Sequence, residues 1–181
     1  MRVESLFSLV CALALFCSCE KAETLYTKAP ANFSANNVNT IPALLTAVGN
    51  PGMFCTIEDN GSQYVFTSLS ESNKVNKEQI SIYRGFIMGL GSGFIVGLPN
   101  IPLPNEDVAR VVCFDIVCRN CHQERSTYPK LQLKEFSRAY CKACQRAYDL
   151  NNLGVVIEGS PGDRLYFYRA NYVPFVLSIS N

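Results

Sequence analysis

Two short cysteine hooks constrain this chain more than any other feature. Cys118-Arg-Asn-Cys121 is followed, nineteen residues later, by Cys141-Lys-Ala-Cys144. Within each hook two sulfurs stand three positions apart, so one tight turn can aim both at a single point, and two hooks then complete a tetrahedron. Four thiolates suit Zn²⁺ or a single iron ion, and C-x2-C repeated at this separation is among the more specific short metal signals. Disulfide pairing is the alternative, since an oxidising compartment permits it. A thioredoxin-like redox hook fits less well, because no βαβ pattern surrounds either pair.

The residues around the hooks refine this picture. His122 and Gln145 follow the second cysteines, where a glycine is often found because it takes a left-handed backbone without a Cβ clash. If that conformation is needed, each costs on the order of 1 kcal/mol. Structural zinc binding, with apparent free energies of about 10–16 kcal/mol, outweighs it. Arg119, Lys142 and Arg146 lie inside or beside the hooks. They either offset the negative charge that four thiolates leave around a divalent ion or are solvated surface residues.

The chain is 181 residues long, 48% hydrophobic and 17% charged, with a formal charge of +1. That is the composition of one globular domain. The near-neutral balance, with no long run of Lys or Arg, gives no reason to expect nucleic acid as a partner. Leu6 to Phe16 is apolar apart from Ser8 and follows Arg2, which reads as an export signal too short to span a bilayer. It ends in Phe16-Cys17-Ser18-Cys19-Glu20. This resembles the lipobox of bacterial lipoproteins, in which the cysteine is acylated and becomes the mature N-terminus. Phe16 and Cys17 depart from the usual residues there, and a plain secreted protein is the alternative. The resemblance implies a signal peptide over 1–18, lipidation at Cys19 and a lipid-attached tether over 19–39. It further implies a location in the cell envelope, anchored to a bacterial membrane at the outer membrane or the periplasmic face. Acyl chains hold such a protein by about 0.8 kcal/mol per buried CH₂. Of the nine cysteines, seven remain after the leader: Cys19, the four in the hooks, and Cys55 and Cys113, which either pair or serve as small buried hydrophobes.

Residues 40–181 read as an all-β domain, a sandwich or barrel of many short strands punctuated by Gly, Pro and Asn, with one short N-terminal helix. The helix is expected from Pro42 to Gly49, capped by Thr40. Met53–Glu58 and Gln63–Ser68 are expected as a hairpin around Asp59-Asn60-Gly61. Residues 70–78 read as a polar loop. Gly85 to Asn105 is uncharged, but its prolines leave too short a run for a membrane span, so it reads as a glycine-rich strand ending in a proline loop. Val108–Val117 is expected as a buried strand leading to the first hook. Lys130–Lys134 and Ser137–Tyr140 pair on the way to the second, and short strands at 147–149, 155–157, 165–169 and 174–179 complete the sheet.

The run from Val112 to Ile179 resembles the Rieske ferredoxin fold, in particular iron–sulfur domains of small exported bacterial proteins. The resemblance rests on Val111-Val-Cys-Phe114-Asp115 before the first loop, on Cys141-Lys-Ala-Cys144 leading into Tyr148-Asp149 and Gly154, and on Gly159-Ser-Pro161 with Leu165 and Tyr168. It covers about seventy residues. It breaks at the ligands, because a Rieske [2Fe–2S] centre requires two histidines and two cysteines and this chain has one histidine. What the resemblance implies is a Rieske-like scaffold whose two loops have become cysteine hooks, in the manner of rubredoxin or a zinc ribbon. His122 then belongs on the surface or beside the ligands.

Three function classes follow. The first is a structural zinc site in a lipid-anchored binding or structural module, attached to the membrane through its N-terminus and meeting an unidentified protein partner. Four ligands with no vacancy make such a site non-catalytic. The second is an electron carrier with a redox partner, holding one iron or an all-cysteine [2Fe–2S] cluster. The third is an enzyme, for which the single histidine leaves Ser–His or Cys–His nucleophilic machinery without an obvious base. Tyr166, Phe167, Tyr168 and Tyr172 are either a partner surface or, as alternating aromatics on a terminal strand more often are, core.

Overall fold

The computed structural model describes residues 25–69, 75–80, 85–104 and 106–181. The expected signal peptide and the lipidation site Cys19 lie outside the described residues. The protein is all-β, with two short helices. In chain order the elements are β1 (Ala31–Asn36), a 3₁₀ turn (Val38–Thr40), α1 (Pro42–Gly49), β2 (Met53–Asp59), β3 (Tyr64–Leu69), β4 (Val75–Ile80), β5 (Ile87–Met88), β6 (Gly93–Leu98), β7 (Val112–Asp115), α2 (Arg119–Arg125), β8 (Gln132–Lys134), β9 (Arg138–Tyr140), β10 (Ala147–Asp149), β11 (Val155–Glu158), β12 (Phe167–Val173) and β13 (Val176–Ser180). Among the described residues these strands form a nine-stranded sheet ordered β4-β3-β2-β6-β7-β12-β13-β1-β5 and a four-stranded sheet ordered β11-β10-β9-β8. All pairings are antiparallel.

The two-residue period of the central strands sorts their side chains between two cores. Cys55, Ile57, Phe94, Val96 and Cys113 face one core, where they meet Phe33, Phe66 and helix α1. Phe54, Ile95, Val112, Phe114 and Phe167 face the other, which also holds Cys118, Cys121, Cys141, Tyr148 and Leu150. A strand covered on both faces has no polar side, and this is why Phe94-Ile-Val96 and Val111-Val-Cys-Phe114 are continuous apolar runs. Gly97 belongs to the same logic. A Cβ there would land on the carbonyl oxygen of Met53 and the Phe54 ring, so glycine is what lets β2 and β6 pair Phe54 opposite it.

The hairpin at Asp59-Asn60-Gly61 forms as its sequence predicts: Gly61 takes φ 85°, and its N–H donates to Asp59 Oδ1 at 2.7 Å while the Ser62 and Gln63 N–H groups donate to Asn60 Oδ1. Helix α1 also lies where expected, but Thr40 does not cap it. The 3₁₀ turn draws the Thr40 hydroxyl back to Asn37 O at 2.9 Å, leaving Ile41 at the cap position with no side-chain bond.

Three expectations need correction. Residues 75–78, read as loop, belong to β4, which pairs with β3 from Val75↔Leu69 to Ile80↔Tyr64. An edge strand is held by main-chain bonds and tolerates the polar, charged sequence Val-Asn-Lys-Glu-Gln-Ile. The strand expected from Val108 begins only at Val112; Val108 is 75% exposed, and the Glu106–Arg110 ion pair lies in this solvent-facing approach. The last two strands start two residues later than predicted and turn at Pro174-Phe175, with Phe175 at φ 66°. Pro174 suits the first corner of that turn, but Phe175 stands where a glycine usually marks the left-handed second corner.

Cys55 and Cys113 do not pair. Both stand opposite Val96 of the intervening strand β6, so a whole strand separates them, beyond the reach of a disulfide. No helix among the described residues is long and apolar enough to cross a membrane.

Candidate metal centre

Strand β7 delivers the first hook, and Asp115 at its end fixes the delivery. Its buried carboxylate accepts the Leu90 N–H at 2.7 Å, the Val117 N–H at 2.8 Å and the Tyr168 hydroxyl at 2.8 Å. Gly89 (φ 65°) packs against this group so closely that a Cβ would collide with both Asp115 Oδ2 and the Tyr168 hydroxyl. Burial raises the Asp115 pKa above the ordinary carboxylate value, and the three hydrogen bonds oppose that rise. The chain leaving β7 is thereby held at Val117, one residue before Cys118.

Cys118 then stands at the N-cap of α2, and Cys121 lies in its first turn. The first hook is therefore a helix start rather than an isolated turn, and His122, whose N–H donates to Cys118 O at 3.1 Å, needs no left-handed backbone. That conformation falls instead on Ser126, at φ 52°, where α2 ends. The second hook behaves as its sequence implied. Gln145 takes φ 58°, with its N–H on Cys141 O at 2.8 Å, and the Cys141 N–H donates in turn to Arg146 O at 2.9 Å.

The two hooks converge. Cys118 Sγ lies 3.6 Å from Cys144 Sγ, and Cys121 Sγ lies 3.7 Å from Cys141 Sγ. All four sulfurs fall within 4.8 Å of one another. A tetrahedron with metal–sulfur bonds near ~2.3 Å has edges of about 3.8 Å, which the 3.6 and 3.7 Å separations match. A disulfide would bring two sulfurs to ~2.05 Å, and none of the four is so bonded. Cys118, Cys121 and Cys141 are fully buried, whereas Cys144 reaches partway to the surface. The four cysteines are thus positioned to bind a metal ion.

The electrostatics of the sulfurs also fit a cation. Burial first, then the neighbouring sulfurs, push the Cys121 thiol well above its ordinary value and Cys141 up to about 11. Burial would raise Cys144 as well, but the Arg146 backbone N–H and the other sulfurs overcome it and hold that thiol at about 7. Four crowded sulfurs cannot all ionise without a positive charge among them.

Around the sulfurs lies a shell that the spacing of cysteines did not reveal. The buried Tyr148 hydroxyl sits 3.1 Å from Cys118 Sγ and accepts from Asn120 Nδ2 at 3.0 Å, which leaves its own proton for the sulfur. Asn120 also donates to Asp163 O and accepts the Asp163 N–H, each at 2.8 Å. Arg146 is 5% exposed. Its guanidinium donates to Ser160 O at 2.8 Å, to Pro161 O at 3.1 Å and to both Glu124 oxygens. Asn120 and Arg146 therefore pin the 159–163 loop across α2 and the second hook. Of the three cations noted near the hooks, only Arg146 is built into the interior. Arg119 pairs with Asp163 at 3.0 Å over the Tyr166 ring, and Lys142 is exposed. His122 stays outside the sulfur group, with Nδ1 2.7 Å from the Tyr166 hydroxyl. Phe167 and Tyr168 are core, and Tyr172 packs against it, so the terminal aromatics form no continuous surface patch.

No family model and no curated protein matches the chain.

Proposed function

We propose that the protein is an exported, membrane-anchored lipoprotein whose β domain carries a structural zinc ion on Cys118, Cys121, Cys141 and Cys144 and acts as a binding or structural module on a Rieske-like scaffold. The observation that carries this reading is the sulfur geometry: four thiol groups within 4.8 Å of one another, with two of their separations, 3.6 and 3.7 Å, at the edge length of a single-ion tetrahedron, and three of the four buried. Such a set leaves no open coordination position, which suits a structural role over a catalytic one. The compactness also favours one ion over two bridged irons, which would draw the two thiolate pairs apart. The ion would tie the turn of β9–β10 to the start of α2. The export signal, the lipid on Cys19 and the envelope location rest on the N-terminal sequence.

The rival reading is electron transfer by one iron, and Cys144 favours it, because a part-exposed ligand gives an electron a short path to a partner. Metal analysis of the purified chain with an absorption spectrum decides between them. One equivalent of zinc and no visible absorption supports the structural site; one equivalent of iron with sulfur-to-iron charge-transfer bands supports the carrier. Absence of any bound metal, with the thiols oxidised in pairs, ends both. Intact mass of wild type and Cys19→Ser tests the anchor separately: the wild type is expected to gain acyl mass and partition with membranes, and the variant to do neither.

A further inference from the structure

We propose that the groove on the outer face of β12 and β13 binds an acidic sugar, a hydroxylated ring bearing a carboxylate. The groove encloses about 410 Å³, inside the ~300–1,000 Å³ usual for small-molecule sites.

Its floor follows from strand period and register. Phe167, Arg169 and Asn171 share one face of β12. Ser180 stands opposite Arg169 and Ser178 opposite Asn171, and Asn32 and Ser34 of β1 extend the same two rows. At Phe167 this face is sealed into the cysteine-side core. Two residues further along, it opens. Solvent-facing strand positions are commonly long and charged, yet this floor carries short hydroxyls and amides on rigid backbone. Such groups both donate and accept hydrogen bonds at fixed spacing, which is the requirement for reading adjacent ring hydroxyls.

Charge selects the rest of the ligand. Arg110 and Arg169 are the charged groups lining the groove. Arg110 is paired with Glu106. Arg169 lies over the Tyr26 ring, 4.4 Å from its centroid, and among the described residues no carboxylate pairs with it. One guanidinium with no ion-pair partner among the described residues matches one carboxylate, which it can grip through two parallel bonds. Leu103 supplies apolar lining, and the Tyr26 ring, with the Arg169 guanidinium stacked on it, holds that charge in place for the ligand. A neutral sugar leaves the guanidinium unanswered, and a polyphosphate brings more charge than one arginine offsets.

Titration calorimetry of the full chain with D-glucuronate, D-galacturonate, D-glucose and inorganic phosphate tests this. At least one uronate is expected to bind with Kd below about 1 mM, and glucose and phosphate at least about tenfold more weakly. Arg169→Gln is expected to weaken uronate binding by about tenfold or more, and Ser178→Ala/Ser180→Ala to weaken it less, with unchanged circular dichroism and melting temperature in both. Arg169→Lys, which keeps the charge, should recover part of the affinity. The proposal is overturned if neither uronate binds at 10-fold above that Kd, about 10 mM. It is likewise overturned if phosphate binds as tightly as uronate, or if uronate affinity is indifferent to Arg169→Gln. Chelating the metal should leave this binding in place, so the result is independent of the cysteine site.

Discussion

The two sheets of this molecule differ in how much apolar burial each commands. The nine-stranded sheet wraps one face around Phe33, Phe66, Phe94, Leu44 and Ile57, all essentially inaccessible to water. Aromatic edge contacts link Phe33 to Tyr64, Phe86 and Phe94. The four-stranded sheet has strands of three or four residues, and its edge strands β8 and β11 bury no residue fully. Its apolar contacts are largely borrowed from the outer face of the larger sheet, through Phe54, Ile95, Val112 and Phe114. Where apolar burial is scarce, a covalent or metal cross-link takes its place. The cysteines sit where that substitution is needed.

The largest expected effect follows directly. Stripping the metal with a chelator, or replacing Cys141 with Ser, removes a contribution on the order of 10 kcal/mol if it resembles structural zinc elsewhere. Hydrogen exchange should then show protection lost across 118–158 while β2, β3 and β6 keep theirs. Simultaneous loss in both sheets would mean that the division drawn above is wrong, and that the metal holds the whole domain.

The reciprocal experiment acts on the other region. Phe33→Ala empties a site enclosed by three rings and is expected to cost about 3–5 kcal/mol in denaturant unfolding. Metal stoichiometry in the folded variant should be unchanged. A variant that folds but no longer retains its metal would show that the larger core also sets the sulfur geometry.

A smaller effect sharpens the boundary. Tyr148→Phe removes the hydroxyl beside Cys118 Sγ and leaves Asn120 Nδ2 with one acceptor fewer. Groups that orient a ligand are commonly worth 10- to 100-fold, so metal affinity measured by chelator competition should fall by about that factor. Thermal unfolding of the nine-stranded sheet should barely move.

The same contrast governs what could be read from the sequence. The cysteine spacing pointed to the four sulfurs because a hook is a local device, with each pair close in the chain. The hairpin at Asn60-Gly61 and helix α1 were legible for the same reason. Asp115, Tyr148, Asn120 and Arg146 were not legible as a site. Apart from the Val117 N–H on Asp115, their partners lie between 14 and 53 positions away, and nothing in an isolated tyrosine or asparagine marks it as facing a sulfur. Strand β4 was hidden because edge pairing is a main-chain interaction that leaves no apolar pattern. The start of α2 at Cys118 was missed because the short polar run Arg119–Arg125 carries no amphipathic repeat.

The least of the expected effects lies at the tip of the β8–β9 hairpin, where the smaller sheet shows its reliance on something other than ideal local geometry. Phe136 and Ser137 take φ 59° and 56°, and Phe136 is 81% exposed. Ser137 has reason to be there, since its hydroxyl donates to Gly52 O at 2.6 Å and its carbonyl accepts the Leu150 N–H at 2.9 Å. Phe136 gains no such anchorage from its backbone conformation, and a bulky residue in that region is strained by about 1–2 kcal/mol relative to glycine. Phe136→Gly relieves the strain but loosens the unfolded chain, whereas Phe136→Asn tolerates the left-handed region and keeps a side chain. The asparagine variant is therefore expected to be the more stable of the two and to exceed wild type by about 0.5–1 kcal/mol. With the metal bound, that gain should appear in the hydrogen-exchange protection of 132–140 and not in that of β2 or β6. A gain spread evenly over both sheets would show that they unfold as one unit, and a loss would show that the Phe136 ring, 6.0 Å from the Arg138 guanidinium, contributes more to the hairpin than its backbone costs.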